Sequence, residues 1–330
     1  MDLSIVKIIN KALDGTLLSH REIVELLSVK NLSPEAFAIW QAGREFTSTL
    51  NDGYAEVHAH IGLDAAPCPM NCQYCSFAEV NGVFTEKVTY PLEKVIQDAL
   101  DLEAAGANAL YLVTTVLYGR RAFLDAAAQV KAALKTNIPL VANIPDFGPD
   151  YAREFAEVGI NGVYHVIRLG EGKFTSCKPE VRIKTIEAAL EAGISVGNCI
   201  EPIGPEHSPQ EIADLVIIAR DLGVAFSGAM RRTTVPGSVF EEHGDISYGR
   251  LATYAGAIAL GTGASVRGNC SHEPSQLCAQ AGANIMWATR GTDPRDTAVE
   301  STRGLSVSQV KDIWWETDWK VWEGPSRYYS

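Results

Sequence analysis

Five times in this chain a helical stretch closes on a glycine and a short apolar run follows at once: LEAAGANALYLV, FAEVGINGVYHV, LEAGISVGNC, RDLGVAFSG and AQAGANIMWA. Glycine takes the left-handed backbone of a helix stop without strain, so Gly106, Gly159, Gly193, Gly223 and Gly282 read as the residues that end helices. The runs behind them have the length and the β-branched, apolar character of strands buried on both faces. Helix and strand alternating in this way form an α/β protein around a parallel sheet. Strands are expected near 56–62, 109–114, 139–143, 162–168, 195–199, 225–229, 264–267 and 284–287. Eight strands predict a (β/α)8 TIM-type barrel, in which functional groups sit on the loops at the C-terminal strand ends.

The flanks differ in texture. Three amphipathic segments, Leu3 to Leu13, His20 to Leu27 and Pro34 to Leu50, open the chain, with Ser19 and Ser33 placed as N-caps. Residues 1–50 therefore form a helical lead-in and 51–300 the barrel, and 301–330 hold one more amphipathic helix and the tail. Trp314, Trp315, Trp319 and Trp322 on that last segment are expected to pack rather than to hold a cofactor, because such rings bury much area.

The 330 residues carry a formal charge of −12 and are 46% hydrophobic. An acidic surface repels nucleic acid and anionic membrane, which leaves a small molecule as the expected partner. No apolar run reaches the roughly 18 residues of a membrane span, and the opening MDLSIVKIINKALDG lacks the basic-then-apolar order of a signal peptide. A cytoplasmic protein is expected. Seven cysteines without a regular framework then argue for metal ligation or catalysis rather than disulfides.

Three of the seven stand together. APCPMNCQYCSFAEV sets Cys68, Cys72 and Cys75 in a CxxxCxxC array just beyond the first expected strand. Soft thiolates suit an iron-sulfur cluster or zinc. Three ligands leave one iron of a four-iron cluster open, whereas structural zinc demands a fourth ligand that the loop's cysteines do not supply. His58 or His60 is the candidate for that place in a zinc site.

With Phe77 two residues after the last cysteine, this array after a first barrel strand resembles the radical S-adenosylmethionine (SAM) superfamily. The resemblance implies a [4Fe-4S] cluster on the triplet, SAM chelated by the open iron, and reductive cleavage to a 5′-deoxyadenosyl radical that abstracts a substrate hydrogen. It also implies an electron donor such as flavodoxin or ferredoxin and a small-molecule or carrier-bound substrate. Over residues 50 to 300 the order of features is similar to the biotin synthase-like branch, which includes biotin synthase, the maturation enzyme of diiron hydrogenase and methylornithine synthase. VYHVIRLGEGKF matches that branch's SAM-binding stretch, so Arg168 and Glu171 are the implied cofactor contacts, although the branch's Arg-x-Glu reads Arg168-Leu169-Gly170-Glu171 here. Arg182, in PEVRIKTIEAALEAG, matches the arginine that pairs with the SAM carboxylate, a task that a guanidinium fork suits. Tyr74 and Phe77 are placed to shield the cluster and flank the adenine. CIEPIGPEHSPQEIADL, with Ser208 as a cap, TTVPGSVFEE and AQAGANIMWATRGTDPRD are further collinear likenesses.

Cys177, Cys199, Cys270 and Cys278 remain, and two readings of them stay open. They hold an auxiliary iron-sulfur cluster, which implies sulfur insertion into an unactivated C–H bond of the lipoyl-synthase kind, with Arg267 as a further ligand candidate. Otherwise they are core residues, and the reaction is a rearrangement or C–C bond formation in cofactor assembly. The second and third strands, ALYLVTT and PLVANI, carry no cysteine, unlike the auxiliary-ligand strands of biotin synthase, so ordinary biotin synthase is not expected. Val57-His58-Ala59-His60 raises a different class, a metal-dependent amidohydrolase, whose further ligands would be drawn from His165, His207, His243 and His272. A non-enzymatic iron-sulfur carrier is the other alternative.

Overall fold

Helix and strand alternate through the middle of the chain because each glycine stop hands over to an apolar run; the computed structural model describes residues 1–329. Eight strands result: β1 (Tyr54–Gly62), β2 (Ala109–Val113), β3 (Leu140–Asn143), β4 (Gly162–Tyr164), β5 (Ser195–Gly197, resumed at Ile200–Ile203), β6 (Phe226–Arg231), β7 (Gly268–Ser271) and β8 (Ile285–Arg290). Each pairs in parallel with the next, and β8 returns to β1 with Val57 opposite Met286 and His60 opposite Thr289. The sheet is a closed ring. A helix follows every strand: α4 (Leu92–Ala104), α5 (Arg120–Ala133), α6 (Pro149–Glu157), α7 (Pro179–Glu191), α8 (Pro209–Leu222), α9 (Tyr248–Thr262), α10 (Gln276–Gln280) and α11 (Val307–Glu316). The expected (β/α)8 barrel is therefore the fold.

The helical lead-in forms as read, with α1 (Leu3–Leu13), α2 (His20–Leu27) and α3 (Pro34–Leu50) capped at their starts by Asp2, Ser19 and Ser33. These helices lie on α8 and α9. A side chain at Gly43 would run into the backbone of Gly256 and Ala281, so α3 and α9 meet at close range only because both positions are glycine. Covered by α3 on one side and the barrel on the other, α9 buries nearly every residue from Leu251 to Thr262 and is apolar all round.

Three expectations shift. The seventh strand is Gly268–Ser271 rather than 264–267, because Val266 is consumed in the turn that leaves α9, and small residues are what fit beside Phe226 and Tyr328. The fourth strand ends at Tyr164, and residues 165–168 become loop. The last helix stops at Glu316: Trp314 is buried, Trp315 is 79% exposed, and Trp319 lies beyond the helix under the Arg44 guanidinium.

The tail then runs back beneath the barrel. Lys320–Val321 adds alongside Tyr54 and Ala55, Ser326 N–H donates to Asn108 O, and Tyr328 and Tyr329 enter the interior. Tyr329 and Tyr111 hydroxyls meet at 2.7 Å, and Tyr111 also bonds His58 Nδ1 at 2.7 Å. Gly162 and Gly197 make room for the Tyr329 ring and hydroxyl, which any Cβ there would overlap. The barrel is thus filled from below, and its open end is the other one. Among the described residues no helix is long and apolar enough to cross a membrane.

Candidate active site

The cysteine triplet stands at the open end, on a long loop clamped at its base by a small antiparallel pairing of Asp64–Ala65 with Val88–Thr89. The loop is shaped by its own backbone. Cys68 N–H donates to Phe77 O at 2.6 Å, Cys75 N–H to Cys72 O at 2.7 Å, and Asn81 Nδ2 holds the carbonyls of Gln73 and Cys75 at 2.9 Å each. It is also tied outward, Ser76 N–H to Pro294 O at 2.7 Å and Gln73 N–H to Phe174 O at 3.0 Å.

All three thiols line one cleft over the barrel. Burial pushes the Cys75 thiol up to about 12, and a bond with Cys177 together with burial pushes Cys72 up as well. Such thiols keep their protons until a metal cation replaces them. Phe77 N–H points at Cys75 Sγ (3.4 Å), a donor placed to favour the thiolate once it forms. No three His, Cys, Asp or Glu side chains among the described residues are gathered around a point fit for a single ion. An iron-sulfur cluster is wider than one ion and binds each thiolate through a different iron, so a loop of soft ligands facing a common cleft fits it. Tyr74 and Phe77 line the same cleft; Phe77 packs on Phe84, and Tyr74 lies against Phe240 with its hydroxyl buried and unpartnered.

The adjoining wall is charged. Arg168 follows β4 and its Nε donates to Glu201 Oε1 at 3.1 Å, while Glu201 Oε2 takes the Tyr164 hydroxyl at 2.7 Å. Arg182, in the first turn of α7, is 6% exposed and lies between Asp146 (3.2 Å) and Glu171 (3.6 Å). Both arginines line the cleft, as do Asp146 and Glu201. Glu171 does not: its carboxylate receives Arg168 N–H at 2.8 Å and Thr175 Oγ1 at 3.3 Å, so it shapes the loop that carries Arg168. The acid facing the cleft beside Arg168 is Glu201, which the chain order alone did not mark. Burial, outweighing the pull of Asp146, lowers His165 to about 4, so a neutral ring accepts from Arg182 Nη1 at 3.1 Å.

The other four cysteines do not converge. Cys177 joins the triplet wall as a free thiol, hydrogen-bonded to Cys72 and accepting from Arg182 Nη2 at 3.2 Å. Cys199 and Cys270 adjoin one another inside the barrel among Tyr164, Phe226 and Trp287. Cys278 is on α10, in the outer apolar layer. Arg267 precedes β7 at the closed end, its Nη2 3.5 Å from Leu50 O. The expected convergence of Cys177, Cys199, Cys270 and Cys278 is therefore corrected: the four thiols lie in three separate environments, Cys199 and Cys270 sharing one.

His58 and His60 also separate. His58 uses both ring nitrogens inside the barrel, on Tyr111 and on Glu56 Oε2 at 3.0 Å, which leaves none for a metal shared with its neighbour. His60 points into the cleft and stacks on His272, the residue after β7. His207 Nδ1 accepts Gly204 N–H, and His165 Nε2 is taken by Arg182, so no amidohydrolase ligand set assembles among the described residues. Beside His60 and His272 stands Arg295, held by Asp293 at 2.7 Å. The sequence links His60 and His272 only as ligands of the amidohydrolase reading and does not join Arg295 or Asp293 to them.

No protein-family model matches the chain. A biotin synthase of Rhodopirellula baltica is 22% identical over 223 residues, which is 65% of this chain and 61% of that protein. The chain thus matches less than two thirds of that relative's length. Among solved structures, a methylornithine synthase superposes with a TM-score of 0.79 at 16% identity, covering 97% of this chain and 98% of that one. An FeFe-hydrogenase maturase from Carboxydothermus hydrogenoformans gives 0.79 at 16% identity, over 99% of this chain and 81% of that one. The structural likenesses establish the shared barrel, and together with the sequence relative they agree with the branch that the motifs indicated.

Proposed function

We propose that this chain, a member of the biotin synthase-like branch of the radical SAM enzymes, carries a [4Fe-4S] cluster on Cys68, Cys72 and Cys75 and uses it in cofactor assembly. One observation carries the reading: three soft thiols, the buried Arg182 fork and the partly buried Arg168 fork line a single cleft at the open end of a barrel. Bound there, cluster and SAM would supply one-electron cleavage of SAM and hydrogen-atom abstraction from the substrate.

The chain's own residues supply the rest. Arg182 is the fork for the SAM carboxylate, with Asp146 and Glu171 fixing its plane. Arg168 and Glu201 form a second polar pair on the same wall, suited to the cofactor's amino and hydroxyl groups. Tyr74 and Phe77 keep water from the cluster side.

Of the two reaction types, the separated thiols favour a rearrangement or C–C bond reaction over sulfur insertion, since a second cluster would need ligands that here lie in different layers. The substrate is a small molecule or is carried to the cleft on a larger partner, and the electron donor is of the flavodoxin or ferredoxin kind. Iron and sulfide counting on anaerobically prepared protein tests this reading, alongside a variant with all three triplet cysteines replaced by alanine. About four irons in the wild type, lost in the variant together with SAM cleavage, is the expected result. Unchanged iron and cleavage in the variant would overturn it, and eight irons would restore sulfur insertion.

A further inference from the structure

Across the ring from Arg168 and Arg182, the exits of β7, β8 and β1 bring together a second polar group that SAM binding as proposed does not use. His60 lies near the end of β1, His272 directly follows β7, and Arg295 follows β8. The two imidazoles stack at 4.9 Å between centroids, and Trp287 of β8 stacks on both, at 4.7 Å from His272 and 5.6 Å from His60. The rings are therefore fixed in place before anything binds.

Two ring nitrogens in this group, Nε2 of His60 and Nε2 of His272, have no protein partner, whereas Arg295 is mostly engaged. Arg295 Nη1 can only donate, so His272 Nδ1 accepts from it and the His272 proton sits on Nε2. His60 is 5% exposed and its Nε2 is buried without a partner. On Arg295, Asp293 takes Nε at 2.9 Å and Nη2 at 2.7 Å, and Glu273 approaches Nε at 3.1 Å. Besides His272, Nη1 has only Met230 Sδ at 3.1 Å, a weak acceptor. A buried polar group without a good partner costs free energy, so its persistence in a cleft points to a ligand that completes it.

We infer that His60, His272 and Arg295 form the anchor for a carboxylate on the substrate, an inference that rests on the radical SAM reading of the same cleft. His272 Nε2 carries a proton to donate, and His60, with no hydrogen bond fixing its tautomer, is free to carry its own on Nε2, so a carboxylate offers acceptors to both. An ammonium would meet a guanidinium whose carboxylate partners are already engaged, Asp293 by Arg295 and Glu273 by both Arg295 and Arg303. His60 Nε2, on the adjacent ring, provides the second point that sets the direction of the bound group. Anchored on this side, the substrate chain lies over the barrel axis toward the cluster loop.

Three six-carbon probes of matched shape test the anchor: hexanoate, hexanamide and hexylamine, titrated by calorimetry into cluster-loaded protein with and without SAM. Hexanoate should bind about tenfold tighter than hexylamine, the scale of one charge-assisted hydrogen bond. His60→Phe, which keeps the ring stack and removes the nitrogens, should weaken hexanoate about fivefold or more and leave SAM affinity within about twofold. Equal or tighter binding of hexylamine, absence of binding by all three probes, or an unchanged hexanoate affinity in a folded His60→Phe protein would each overturn the assignment. The comparison of probes on the wild type requires no variant to fold. Loss of SAM binding in the same samples would count against the radical SAM reading instead, and the titrations without SAM would still judge the anchor.

Discussion

Arg182 donates a 3.2 Å hydrogen bond from Nη2 to Cys177 Sγ, and through that thiol it reaches the cysteine loop at Cys72. The contact joins the first turn of α7 to the loop after β1, two parts of the cleft that lie a hundred residues apart in sequence. It gives Arg182 a structural role beside the cofactor-binding one proposed for it.

Arg182→Ala should weaken SAM binding by about 1.5 to 3 kcal/mol, the range for a charge-assisted bond. It should also destabilise the fold by about 3 kcal/mol or more, because Asp146 and the buried Glu171 lose their cation. Calorimetry with SAM and urea unfolding on the same variant separate the two effects. An affinity within a factor of two of wild type would remove Arg182 from the cofactor site.

Cys199→Ala together with Cys270→Ala should leave the iron content at the wild-type value and cost about 1 to 3 kcal/mol of stability, as expected for small cavities in a packed interior. Iron analysis and thermal unfolding check this. A halving of iron in the double variant would show that the pair ligates a second cluster.

Three histidines set an acid limit. Burial lowers His165 to about 4 and His60 to about 3, and it lowers His272 too, all below the unfolded value of about 6.5. The native state therefore resists protons that the unfolded chain accepts. Their stabilisation is complete above about pH 6.5 and falls as pH drops toward the folded values, by up to about 4 kcal/mol per pH unit for three protons. Urea unfolding between about pH 5.5 and 7.5 should show this slope, and His60→Phe should reduce it by about a third. An unchanged slope in that variant would mean that His60 is protonated in the native state.

Gly162→Ala should destabilise the protein by about 1 to 3 kcal/mol, since the added methyl overlaps the Tyr329 ring. In a Tyr329→Ala background the same substitution should be much milder. Thermal unfolding of the four proteins in this cycle gives the coupling, and additive effects would refute the packing described for the tail.

Much of this architecture is legible from local signals. Helix stops at glycine, the caps at Ser19, Ser33 and Ser208, and the CxxxCxxC spacing each act over a few residues, and the structure keeps all of them. Local signals fail where distant segments decide. Gly268-Asn269-Cys270-Ser271 has little strand propensity of its own and becomes β7 because it fits between β6 and β8. Glu201 rather than Glu171 faces the cleft because a turn at Gly170 and Gly172 folds the nearer acid back onto its own loop. The stack of His60, His272 and Trp287 unites residues more than two hundred positions apart, a distance over which no spacing rule operates.

The filling of the barrel from below has a consequence for the order in which this protein is made. Ser326, Tyr328 and Tyr329 complete the closed end, so the interior stays unfinished until position 329 has left the ribosome. Until then Tyr111, Phe226 and Trp287, synthesised much earlier, lack the rings that will cover them. Contacts of such long sequence separation form slowly, and nascent chains in this condition expose apolar surface. Vectorial synthesis therefore leaves this barrel open at its base until those residues emerge, and a chaperone that shields apolar surface would have its opportunity there.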